Sequence, residues 1–387
     1  MKIVIAPDKF KGSLSASDVA RAIAAGLTHA TRRGRAGELR EPAPPRLPPA
    51  PTLDLIPVAD GGEGTVAALV AATNGRFETR TVTGPLPDMR VDATFGILGD
   101  GTTAVVEMAA ASGLALLPPQ DRDPMRTTTF GTGQLLLEAA KLGAKQIILG
   151  IGGSATVDGG IGAAQAAGLP VILDQIGPAD THEQLVGEDL RRVVLVKHAR
   201  GSALDRVKIT VACDVTNPLF GPSGAAKIFG PQKGATPQQV EELDALLEQL
   251  ATRCGKLAEA ETPGAGAAGG LGFAMLAFFV AQLRPGFDIV ADAVRLRDRL
   301  RGAALCVTGE GRLDASSLSG KAAVGVARMC RELNVPCVAI VGSVDDASLP
   351  ELSALFTKIM PIHQPSMPLA DAMRDAETLV EDAAETL

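Results

Sequence analysis

Leu53 to Ala59 is an apolar run that passes directly into DGGEGT (Asp60–Thr65) and then into a second apolar run, Val66–Ala72. A strand-forming segment, a glycine turn and a helix-forming segment in that order are the local signature of a parallel α/β unit. The pattern returns near both ends of the chain. KIVIAP (2–7) is a short β-branched run broken by proline, followed by a helix to about Ala30 in which Val19, Ile23 and Leu27 fall four apart and Ser13 or Ser15 supplies the cap. From residue 303, AALCVTGEG reads as strand and turn, GKAAVGVARMCREL as helix and VPCVAIVGS as strand. TKIMPI is a further strand, and DAMRDAETLVEDAAETL closes the chain as a helix.

The middle differs. Between Gly75 and Glu107, alternating segments (FETRTVTG, VDATFGILG, TAVVEMA) joined by G-P and D-G turns predict antiparallel strands. KQIILGIGG, LPVILD and KITVACD then mix strands with helices. The expected organisation is a parallel α/β domain built from residues 1–74 plus 288–387, with a mixed α/β domain, 75–287, inserted in it. A length of 387 residues accommodates both. Thr31 to Thr52 carries five arginines and six prolines, and it is expected to be a helix-free, disordered surface loop.

Composition removes several classes of function. With 37 Lys plus Arg against 44 Asp plus Glu, no Trp, no Tyr and 11 Phe, the chain is acidic and has few rings for base stacking, which argues against nucleic acid. The four histidines are scattered. The five cysteines form no C-x-x-C pair, which argues against structural zinc and a disulfide framework. Cys213, Cys306 and Cys337 lie in strand-like runs and read as small core hydrophobes of a reducing cytosol. Pro7 and Asp8 end the apolar start far short of a signal peptide. Thr262–Leu283 is uncharged, but its first half is glycine-rich, and Leu271–Leu283 is too short to span a bilayer needing ~20 residues. A buried core helix entered through a glycine turn is expected there.

Ligands of open parallel sheets bind at the carboxyl ends of strands. Three such ends carry charged groups followed by glycine: APDKFKGS (Asp8, Lys9, Lys11, Ser13), VADGGEGT (Asp60, Gly61, Gly62) and VTGEGRLD (Glu310, Arg312). The middle adds GIGGSATVDGG (Gly152, Gly153, Ser154, Asp158), ACDVTNP (Asp214) and FGPQKGAT (Lys233). Glycine turns bring backbone N–H groups to an anion, carboxylates hold Mg²⁺ or accept a hydroxyl proton, and cations neutralise phosphate. Together these are the requirements of phosphoryl transfer. Two tempting motifs fail. SLSGKAA has Ala315 where a P-loop needs glycine and Ala322 where it needs Ser or Thr. GAGAAG (264–269) follows AEAETP instead of a strand, which removes the context of a dinucleotide site.

The ordered set APDKFKGSLSA, PVADGGEGT, VVEMAAASGL, TTTFGTGQL, ILGIGGSATVDGG, VACDVTNPLFG, IFGPQKGAT, PGAGAAGGLG and VTGEGRLD followed by SGKA resembles the type 1 glycerate kinase family over nearly the whole chain. The resemblance implies a flavodoxin-like domain carrying an inserted α/β domain. It also implies phosphorylation of D-glycerate from ATP with Mg²⁺ in the cytoplasm, 2-phosphoglycerate being favoured over 3-phosphoglycerate. The active site is expected in the inter-domain cleft, with no membrane partner, and a homo-oligomer stays open.

By chemical type and position, Lys11 and Arg312 would meet the glycerate carboxylate. Asp60 or Asp158 would accept the hydroxyl proton, with Asp8, Lys9, Ser13 and Ser154 as further substrate contacts. Gly61, Gly62, Gly152 and Gly153, with Lys233 or Lys321, would receive ATP phosphates; Asp214 or Glu310 would help hold Mg²⁺. A nucleotide-dependent dehydrogenase and a non-catalytic hydroxy-acid sensor are the competing readings. Val157 stands where the family commonly has Asn, so a polar contact near Asp158 is expected to be missing. Glu41–Thr52 enlarges a loop, and Pro170–Arg206 lacks the usual glycine-rich stretch.

Overall fold

The structure, a computed structural model, describes residues 1–38, 51–174, 184–197, 202–364 and 366–387. Among them the strands are β1 (Lys2–Ile5), β2 (Thr52–Leu55), β3 (Arg76–Thr83), β4 (Arg90–Ile97), β5 (Thr103–Glu107), β6 (Gln146–Gly150), β7 (Val171–Leu173), β8 (Val193–Val196), β9 (Lys208–Ala212), β10 (Gln282–Arg284), β11 (Leu305–Leu313), β12 (Cys337–Val344) and β13 (Lys358–Pro361). The chain divides into two units: one of Met1–Asp60, Ala67–Ala72 and Phe287–Leu387, the other of Gly61–Val66 and Thr73–Gly286.

In the first unit, five strands pair in the order β13-β12-β11-β1-β2, every pair parallel. Numbered along this unit alone, and taken from the β2 edge, the order is 2-1-3-4-5, which is the flavodoxin-like arrangement. Its topological switch point lies between β1 and β11. Isoleucine and valine fill the inward positions of β1, where branched side chains suit a pleated, buried surface. One core layer joins Ile3, Ile5, Val307 and Ile340 of the sheet to Val19, Ile23 and Leu27 of helix Ala16–Glu38 and to Val380 and Ala384 of helix Ala376–Glu385. Helix Ala322–Glu332 packs on β11 and β12.

The second unit carries a mixed sheet ordered β10-β9-β6-β5-β4-β3. β3, β4 and β5 are antiparallel, as their alternating sequence predicts, whereas β5, β6, β9 and β10 run parallel. A separate hairpin pairs β7 with β8.

Two expectations are corrected. Helix Ala16–Glu38 continues eight residues past Ala30, because the first proline of the arginine-rich segment is Pro42 and nothing before it denies the helix a hydrogen bond. The remainder of that predicted loop, 39–50, lies outside the described residues. The helix expected over Leu271–Leu283 ends at Ala277. Val280 adopts φ +54°, and Gln282–Arg284 leaves the helical path to pair with β9, so a strand ladder takes the backbone bonds that a longer helix would have used. Among the described residues no helix is long and apolar enough to cross a membrane.

Candidate active site

β1 ends at Ile5, but its backbone pairing continues. The N–H of Ala6 donates to Val307 O and that of Asp8 to Gly309 O, each at 2.8 Å. Asp8 is thereby held beside Gly309, one residue before Glu310, at the switch point of the sheet. β2 is zipped to the other side of β1, Ile56 N–H donating to Ile5 O at 2.8 Å and Val58 N–H to Pro7 O at 3.0 Å, which delivers Asp60 to the same strand ends.

Both switch-point carboxyls are buried, Asp8 5% and Glu310 6% exposed. Burial lifts Asp8 from 3.8 to about 6; the Lys9 ammonium opposes this, and Asp60 adds to it. Burial lifts Glu310 from 4.5 to about 7 against a hydrogen bond from Ser317 and the charge of Lys321, with Asp8 pushing upward. Asp8 is thus electrostatically linked to both Asp60 and Glu310, residues 250 positions apart in sequence. Glu310 Oε1 has no hydrogen-bond partner among the described residues. Two buried acids that resist ionising together, one with an orphaned oxygen, form a donor set that fits a divalent cation.

Cations flank the acids. Lys321 Nζ lies 3.7 Å from Asp314 Oδ1, and Lys9 Nζ lies 3.9 Å from Asp8 Oδ1. Arg312 shares a face of β11 with Glu310 by the two-residue period and is mostly exposed, 3.8 Å from Asp314 and 4.0 Å from Asp345. Lys11 is exposed on the loop between β1 and the first helix. Ser13 donates to Phe10 O at 3.2 Å, and it is Ser15 that caps the helix, its Oγ accepting from Asp18 N–H.

In the second unit the glycine turns gather at the carboxyl ends of β5, β6 and β9. Gly61 has φ +89°, and a Cβ there would lie 2.6 Å from Ala212 Cβ and 2.8 Å from Gly286 Cα, so only glycine fits between these backbones. Glu107, at the end of β5, accepts from Val66 N–H at 2.8 Å and so holds the first turn of helix Thr65–Thr73. Glu107 was missed in sequence because nothing local distinguishes it from an ordinary strand-end acid. Asp214 accepts from Gly286 N–H at 2.8 Å.

Beyond β6, Gly152 and Gly153 form an exposed tip, and Ser154 to Gly160 descends into the core. Asp158 is fully buried and accepts from Thr129 N–H (2.8 Å) and Oγ1 (2.7 Å), Gly160 N–H (3.0 Å) and Gly162 N–H (3.3 Å). Burial raises its carboxyl and these donors pull it down. So many donors suit a residue that fixes a loop. Lys233, 2% exposed, donates to Ser154 Oγ at 2.8 Å and Thr156 O at 2.7 Å; burial lowers its ammonium to about 7, opposed by Asp158. Val157 points into the apolar core of this unit, and Asp158 has four donors without it. The GAGAAGG segment buttresses the same loop: Gly159 N–H donates to Gly269 O at 3.0 Å. A Cβ on Gly269 would fall 1.9 Å from Thr156 O, so its glycines serve backbone packing.

A doubly wound sheet whose switch point holds acids fit for a cation, in one chain with glycine turns shaped for close backbone approach, supplies the parts that phosphoryl transfer requires of an α/β enzyme. Residues 3–387 match the model of the glycerate kinase family. The chain is 46% identical to the glycerate kinase of Haemophilus influenzae (88% of this chain, 86% of that one). It is 45% identical to the glycerate 2-kinase of Escherichia coli (89% and 86%) and 42% identical to the glycerate kinase of Bacillus subtilis (100% and 97%). A crystal structure of a Salmonella typhimurium LT2 protein described as a glycerate kinase 2 superposes with a TM-score of 0.82 at 41% identity, covering 100% of this chain and 96% of that one. The chain belongs to the glycerate kinase family and is a kinase.

Proposed function

We propose that the chain transfers the γ-phosphoryl group of ATP to D-glycerate with Mg²⁺, forming 2-phosphoglycerate. The observation that carries this reading is the buried Asp8–Glu310 pair beside Asp60, at the one place in a 2-1-3-4-5 sheet where ligands are received. Glu310 and Asp8 are assigned to the cation, Asp214 being engaged with the Gly286 backbone. When bound, the cation compensates the charge of the transferring phosphate oxygens.

Asp60 is assigned as the base that takes the proton from the attacking hydroxyl. Arg312 and Lys11 are exposed cations suited to the substrate carboxylate, Arg312 through its fork of donors. Lys9, Ser13 and Ser154 are kept as further substrate contacts. Gly61, Gly62, Gly152 and Gly153 are assigned to ATP phosphates with Lys321. In this reading Asp158 and Lys233 act by fixing the Ser154–Gly160 loop and touch no reacting atom. The test is incubation with ATP, Mg²⁺ and D-glycerate, with the product identified by phosphorus NMR. The 2-phosphoglycerate resonance is expected, and abolished by EDTA. A 3-phosphoglycerate signal would overturn the regiochemistry, and undiminished turnover in EDTA the metal assignment.

A further inference from the structure

The five cysteines look unrelated in sequence, yet three of them converge. Cys306 of β11 and Cys337 of β12 are register partners on neighbouring parallel strands, which sets their side chains next to each other on one face. Helix Ala322–Glu332 packs on these strands and turns Cys330 inward. The three Sγ atoms lie within 4.8 Å of one another, and the residues are 0%, 0% and 2% exposed. All are free thiols. The influences on Cys330 are its two partner thiols, which donate to it and lower it, and burial, which raises it; no cation among the described residues takes part.

We propose that Cys306, Cys330 and Cys337 form a three-thiol site for a trivalent thiophilic ion, arsenic(III) or antimony(III). Ligand number and charge select this class. The cluster offers three sulfurs and no fourth His, Cys, Asp or Glu ligand among the described residues, whereas Zn²⁺ takes four. Three thiolates on Zn²⁺ leave a net charge of −1, and on Cu⁺ a net charge of −2, in a buried site where no cation among the described residues acts on Cys330, which is costly. Three thiolates on arsenic(III) leave none. Arsenous acid reacts by exchange: three As–O bonds break, three As–S bonds form, each thiol proton leaves on a hydroxyl as water, and no atom changes oxidation state.

The experiment refolds the full chain from urea in sodium arsenite with a phosphine reductant, desalts it, and measures arsenic per chain together with the arsenic K-edge spectrum. One arsenic per chain with three sulfur neighbours and no oxygen is expected, along with a raised melting temperature. Cys330→Ala should weaken retention at least tenfold, its fold being checked by circular dichroism. Cys213→Ala, should it misfold, is replaced by Cys254→Ala; either should retain arsenic like the parent chain. No retained arsenic, an oxygen neighbour, equal retention by Cys330→Ala, or equally tight retention of Zn²⁺ by the triad would overturn the proposal.

Discussion

Glu310→Gln isolates the effect of a buried charge at the switch point, because the amide keeps the shape and loses the ionisation. The carboxyl titrates at 4.5 ordinarily and at about 7 in the fold, so the folded chain holds its proton more tightly than the unfolded chain. The stability this contributes is present in full below about 4.5 and is lost as the pH rises through about 7. Converting the rise gives about 3 kcal/mol in total, of which about 2–3 kcal/mol disappears between pH 5 and pH 8. The variant does not titrate there, so its stability relative to the parent chain should improve by that amount over the same interval, whatever constant offset the amide introduces. Urea unfolding in EDTA at the two pH values measures this directly. Added Mg²⁺ at pH 8 should then stabilise the parent chain and leave the variant unchanged, while the variant's turnover falls at least a hundredfold. A difference between the two proteins that is the same at pH 5 and pH 8 would refute the burial argument and with it the case for a cation at Glu310.

Asp60→Asn should preserve the melting temperature and reduce kcat by a factor on the order of 10²–10⁴; a loss below tenfold removes Asp60 as the base. Lys233→Met leaves Ser154 Oγ and Thr156 O without their donor and should cost about 1–3 kcal/mol in unfolding free energy, visible as lost amide protection in residues 154–160. Gly269→Ala places a methyl group against Thr156 O at φ +66° and should destabilise by about 2–5 kcal/mol, whereas Gly221→Ala at a half-buried position, with open space around its Cβ and φ +93°, should cost about 1–2 kcal/mol. Comparable melting temperatures for the two alanine variants would show that the GAGAAGG segment does not buttress the loop.

The alternation of apolar runs, glycine turns and helical periods is a near-neighbour property, and it marked out most strands of both units, the antiparallel β3–β4 pair included. Segment order likewise gave Asp8, Asp60 and Glu310 a common expected position, at strand ends followed by glycine; for Glu310 this is corrected, because β11 runs on to Leu313 by pairing Glu310, Arg312 and Leu313 with β12. One error fell where a distant partner competed with a local preference. Gln282–Arg284 reads as the end of an apolar helix until β9 offers a parallel ladder. The four donors that surround Asp158, two of them from Thr129, 29 residues earlier, are likewise invisible in its local sequence.

What the sequence by itself determined is the type of element at each place and the residues at its ends, because these depend on side chains a few positions apart. Which side chains meet across elements was decided only by the tertiary structure. Cys306 and Cys337 stand side by side because β11 and β12 pair in one register, and a shift of a single residue would send one thiol to the opposite face. The same register and burial raise Glu310 to about 7, a property no strand carries until its neighbours exclude water from it.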